Sequence, residues 1–181
     1  MIEIILACFA IGFFIGYNIA ILVTFGLPCS LSYTYYCLNS KVEGSGVAFT
    51  VMMIVVFGLL IYPWMYITTC ISPWSQYLTI LPFISCAGCM FVGIAPNIQQ
   101  SKRIEKIHII SALVAAIAAI LWICVVCYKI VYILPIWIVV MGILAHTTKT
   151  AKVSRDYWCE MAIFGATFTC IIIELILCKI A

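Results

Sequence analysis

The sequence predicts an all-α fold, an integral membrane bundle of six transmembrane helices, and three observations carry that expectation. The chain is 67% hydrophobic and only 8% charged, whereas soluble domains are about half apolar and roughly a quarter charged. Its mean hydropathy is +1.27. Residues 109–128 form twenty consecutive residues without a charge, and a helix of that length spans about 30 Å, the thickness of a bilayer's hydrocarbon core. No water reaches that layer, so the backbone must satisfy its own hydrogen bonds, which a helix does within one segment. The 181 residues leave room for a single transmembrane domain, 1–181, and for no separate soluble one.

Six apolar stretches are expected, at about 2–25, 47–67, 74–94, 109–128, 130–148 and 157–180. The first begins without a basic segment, and its apolar run is too long for a signal peptide, so it is expected to remain as a span. It carries Gly12 and Gly16, a small-xxx-small spacing that suggests a helix contact. Asn18, near its far end, suits an interhelical hydrogen bond or a ligand contact. The first loop follows Pro28 and contains a Ser/Tyr-rich run, including Tyr35, expected to form a short interfacial helix. Tyr35 there either anchors at headgroup depth or lines a cavity mouth.

Span 2 ends in an aromatic run, and Trp64, Tyr66, Trp74 and Tyr77 are expected to form a girdle on one side. Ser72 and Pro73 make the turn into span 3, which contains Pro82 and stops before Pro96. Span 4 carries Ser111, Ala115 and Ala119 four residues apart, a face that lets a neighbouring helix approach closely. Span 5 follows at once and contains Pro135. No inverted repeat relates the two halves, because the long loop after span 1 has only Tyr128 and Lys129 as its counterpart after span 4.

Charge sets the expected orientation. Loops 1, 3 and 5 carry Lys41, Lys102, Arg103, Lys106, Lys149, Lys152 and Arg155, against Lys129 and Lys179 at the other side. The positive-inside rule puts these loops in the cytoplasm and both termini outside. Net charge of +3, spread over short loops, fits anionic headgroups and excludes nucleic acid as a partner.

Span 6 holds the most informative polar residues. Glu160, Thr167 and Glu174 are seven apart and drift only about 20° per step around a helix. One edge of the helix is therefore polar, and ionisable groups in a span normally face the bundle interior. Glu160 either contacts a ligand or pairs with Arg155 or Lys152. Glu174 suits an ion pair with Lys129. At the start of span 4, Glu105 stands three residues before His108 and can hold its ring in one tautomer. His108, His146, Asp156 and Glu160 are expected to converge at the cytoplasmic mouth. No pair has the helical spacing of a metal site, so no metal is expected.

Two Cys-x-x-Cys pairs occur among eleven cysteines, most of which lie in apolar runs, where Cys acts as a small hydrophobe. Cys124 and Cys127, beside Lys129, resemble the pair found near a span end in membrane disulfide-generating enzymes of the DsbB and vitamin K epoxide reductase type. That resemblance implies thiol oxidation with a quinone as electron acceptor; otherwise no cofactor is expected. Over the whole chain, three segments are similar to small six-span membrane proteins of the DRAM type and related bacterial membrane proteins of unknown function. They are Tyr17 with Asn18, the turn 26–32, and the run 91–96 before His108. The resemblance implies a six-helix bundle with polar residues gathered at one face. A bacterial inner membrane is the expected location.

The expected function is binding or transport of a small amphiphile, lipid headgroup or ion through a cytoplasmic-side polar cavity, with Glu160, His108, Glu105, Asn18, Tyr35 and His146 as candidate contacts. Binding or transport is favoured over catalysis. The alternatives are a thiol oxidoreductase using Cys124 and Cys127, and a non-catalytic component of a membrane complex, as a homo-oligomer or beside a partner membrane protein.

Overall fold

A computed structural model describes residues 1–71, 73–95 and 101–180, with the side chains of residues 73–75 left undescribed. Seven α-helices follow in order: α1 (Ile2–Phe25), α2 (Thr34–Lys41), α3 (Val47–Ile71), α4 (Ile80–Ile94), α5 (Lys102–Val125), α6 (Ile133–Thr147) and α7 (Arg155–Ile180). No strand occurs among the described residues. Short 3-10 segments, Pro73–Thr79 and Tyr128–Ile130, lead into α4 and α6. With them, six segments are long and apolar enough to cross a bilayer. The chain is an all-α, multi-pass membrane protein.

Local chemistry explains the boundaries. α5 starts at Lys102, seven residues earlier than the uncharged run, because the Ser101 hydroxyl caps it by accepting from Ile104 N at 3.2 Å. The basic cluster before span 4 is thus its first turn. Pro82 and Pro135 each stand third in their helices, where a missing N–H costs no helical bond. The 3-10 lead-ins occupy the residues just upstream. Ser72 and Pro96, expected to turn the chain on either side of span 3, lie outside the described residues.

The centre of the bundle is α3, packed against α1, α4 and α7, with α5 closing on α4 and α7. Its buried face runs from Phe49 through Met53, Val56 and Leu60 to Trp64 and Ile67. α6 packs chiefly on α7 and leaves most of its surface exposed, as a lipid-facing helix must.

Small residues admit the closest approach where α4 meets α5. A Cβ on Gly88 would stand 2.9 Å from both the Ala115 side chain and the Ser111 carbonyl. The Ser85 hydroxyl donates to Ala115 O at 3.0 Å, so the Ser111–Ala115 face meets a neighbour as its spacing predicts. Gly12 and Gly16 differ. Both are exposed, and a Cβ on either would meet nothing within 4 Å; their contact does not form within this chain.

The girdle is also narrower than expected. Trp64 is 1% exposed and packs edge-on against Trp122 at 5.3 Å, while Tyr62 and Tyr77 are exposed. The Trp74 side chain lies outside the described residues. At the end holding the termini, Lys179 Nζ pairs with Glu3 at 3.3 Å and sits 5.2 Å over the Tyr66 ring, tying α1, α3 and α7 together.

Replacing Gly88 with Ala should lower the thermal unfolding midpoint in detergent, by an overpacking cost of about 1–3 kcal/mol. The same change at Gly12 should leave the midpoint unmoved.

Candidate functional site

The site is an interior cavity between α3, α4, α5 and α7, with a free volume of about 70 Å³. Its walls are mostly apolar. Phe49, Met53 and Phe57 come from α3, Cys89 and Val92 from α4, Ala112, Ala115 and Ala119 from α5, and Ile163 and Phe164 from α7. Leu31 and Ser32 of the first loop close one end. Five polar side chains interrupt this lining; the Ser32 and Ser85 hydroxyls are bonded to Ser30 and to Ala115 O, which leaves Glu160, Thr167 and Trp64.

Glu160 stands near the start of α7, at the end where loops 1, 3 and 5 lie. Its Oε2 accepts the Leu31 backbone N–H at 2.6 Å, and the neighbouring Tyr157 N–H donates to Cys29 O at 3.1 Å. These two bonds pin the 29–32 stretch onto the first turns of α7, which is why Leu31 and Ser32 are buried. Arg155 does not claim Glu160; it pairs with Asp156 at 3.3 Å on the surface.

Deeper in, the cavity meets two unsatisfied groups. Trp64 Nε1 and Thr167 Oγ1 are buried and have no hydrogen-bond partner among the described residues. Nearby groups of the same types show how unusual that is. Thr169 back-bonds to Gly165 O at 2.7 Å, and Trp122 Nε1 donates to Thr68 at 2.8 Å. An unmade hydrogen bond on a buried donor costs about 1–3 kcal/mol, and native structures hold few such groups. Thr167 lies seven residues beyond Glu160, about 10 Å along the helix.

The structure brings together fewer of the sequence candidates than expected. His108 is buried, but its Nδ1–H donates to Ala95 O at 2.9 Å, at the C-terminal end of α4. Glu105 is exposed and is not its partner; the carbonyls ending α4 hold the ring instead. His146 is exposed at the end of α6 and Asp156 is exposed beside Arg155, so the expected convergence of four groups does not occur. Asn18 is buried between α1 and α7, donating to Phe14 O at 2.9 Å and accepting from the Tyr157 hydroxyl at 3.3 Å. Tyr35 is half-buried, edge-on to Tyr36 at 5.4 Å. Neither lines the cavity.

Glu174 faces inward as its stripe predicts. No ion pair within 4 Å joins it to Lys129, whose ammonium is exposed and lies 6.0 Å over the Tyr128 ring. The two cysteines of the second Cys-x-x-Cys pair face apart. Cys124 is exposed while Cys127, beyond the end of α5, is buried, where its thiol meets Cys170. Outside the spans, burial pushes the Cys37 thiol above its ordinary range, with Cys29 a lesser cause, so it is no activated nucleophile. No cluster of three or more metal-ligating side chains occurs among the described residues.

Sequence reasoning missed Trp64 as a site residue. Its aromatic neighbours suggested an interfacial belt, although its place seven residues before Ile71 put it inside the helix. Thr167 was legible on the polar edge of span 6.

Compared with known proteins, the chain matches no family model, no curated protein and no solved structure. Fold and site define its class: a multi-pass membrane helix bundle with an internal cavity.

Glu160→Ala removes the acceptor for Leu31 N–H and should speed amide exchange at Leu31 by at least about fivefold, since a lost buried bond costs about 1–3 kcal/mol. Glu160→Gln keeps a carbonyl acceptor and should leave exchange close to wild type.

Proposed function

We propose that this protein binds a small amphiphile in the cavity between α3, α4, α5 and α7. The observation that carries this is the pair of polar groups unpartnered among the described residues, Trp64 Nε1 and Thr167 Oγ1, on a mostly apolar lining. Water alone would satisfy the donors and leave the aromatic and aliphatic walls, Phe49, Phe57 and Phe164 among them, without an apolar partner. A bare hydrocarbon would suit the walls and leave both groups unmet. A chain carrying a hydrogen-bonding group suits both.

The roles follow from position. Glu160 presents its second carboxylate oxygen at the loop end, where a hydroxyl or amine head can donate to it. Phe49, Met53, Phe57 and Ile163 hold the chain. Trp64 donates, and Thr167 donates or accepts, at a second polar point deeper in. By the positive-inside rule the loop end, with Glu160, faces the cytoplasm. The residue set differs from the sequence-based one: His108 serves the α4–α5 junction, and Tyr35 braces the first loop.

Thr167→Val should raise the ligand-free unfolding midpoint, because it removes an unmet buried group at about 1 kcal/mol or more with little change of volume, whereas in Trp64→Phe that gain is offset by the space left beside Trp122. The same changes should weaken binding of a short-chain alcohol by roughly tenfold, equivalent to about 1.4 kcal/mol. Ligand-dependent shifts of the midpoint in detergent read both effects. Equal shifts in wild type and both variants would remove the cavity as the binding site.

A further inference from the structure

A second concavity, larger than the first at about 470 Å³, lies along the outside of α7 between α1 and α6. Ile11, Phe14 and Leu22 form one wall, Trp137 and Met141 the other, and Met161 and Phe164 the floor. Phe164 lines the interior cavity as well. Its ring stands 5.1 Å from Phe14 on the groove side and 5.7 Å from Phe57 on the cavity side. The partition between the two spaces therefore includes a single rotatable side chain. By contrast, the aqueous end is closed by backbone, with Cys29 O and Leu31 N both bonded to α7 at 3.1 and 2.6 Å.

We propose that the ligand is a single-chain amphiphile already dissolved in the bilayer, and that it enters sideways through this groove with Phe164 as the gate. This rests on the interior cavity being a ligand site and adds the source and route of the ligand. Lipid is the solvent around α1 and α6, so the groove is filled with alkyl chain without any opening step. Movement of the Phe164 ring away from Phe57 joins the groove to the cavity, and the apolar lining continues from one to the other. The head then meets Glu160, and the chain's deeper polar group meets Trp64 and Thr167. A two-chain lipid does not pass, because the opening is the width of one side chain.

The test uses a short-chain alcohol with a photoreactive diazirine, added to the protein in vesicles. Samples are irradiated at intervals after addition, and labelled residues are located by mass spectrometry. Met141 and Met161, in the groove, are expected to be labelled at once, and Met53 and Cys89, in the cavity, after a delay. Phe164→Ala should shorten that delay at least fivefold, and Met141→Phe, which narrows the groove, should lengthen it; if the first variant fails to fold, the second decides alone. Equal delays in all folded proteins would overturn the lateral route and leave the cavity as a binding site. Labelling of the groove with none of Met53 or Cys89 at any time would overturn the binding proposal itself.

Discussion

A carboxylate and a hydroxyl cannot be left among acyl chains, and α7 carries Glu160, Thr167 and Glu174 along one edge. That constraint orients the helix before any other contact is considered. With the polar edge inward, the opposite side of α7 is left for α6 and for lipid. α3 supplies the large apolar residues that the inward edge packs beside, from Phe49 to Trp64. The bundle is thus arranged around two helices, one polar along an edge and one bulky, with α4 and α5 joined closely beside them through Gly88 and Ala115.

The same constraint shapes the first loop. Glu160 lies near the loop end of its helix, where neither Arg155 nor Lys152 reaches it as an ion partner. A backbone N–H satisfies it instead, and the loop folds down as a consequence. Thr34 joins this arrangement, since Tyr17 OH lies 2.6 Å from its hydroxyl and that hydroxyl donates to Leu31 O at 2.7 Å. Leu31, Ser32 and Thr34 form a buried plug held by α1 and α7, and the cavity behind it is shaped by side chains.

Membrane spans were legible because length and hydrophobicity in lipid leave one solution, and the seven-residue spacing in span 6 named the inward edge. Helix starts were less legible: charge marked the end of an apolar run, whereas Ser101 capping decided where α5 begins. His108 and Glu105 looked like a pair on spacing, but the open carbonyls at the end of α4 are a stronger competitor for a buried ring, and no spacing within one helix reveals a neighbour's terminus. Trp64 was read by its company rather than by its turn of the helix. The cavity itself was not legible, because it is the space left where small residues of α5 face Phe57 and Phe164, and that depends on how four helices meet.

The central claim is that the inward edge of α7 encloses a space whose buried donors are satisfied by something other than protein. An experimental structure in lipid nanodiscs tests it most directly. The account predicts elongated non-protein density beside Glu160, reaching hydrogen-bonding distance of Trp64 Nε1 or Thr167 Oγ1. A collapsed cavity with both groups bonded to protein, or Glu160 turned into the acyl chains, would contradict it.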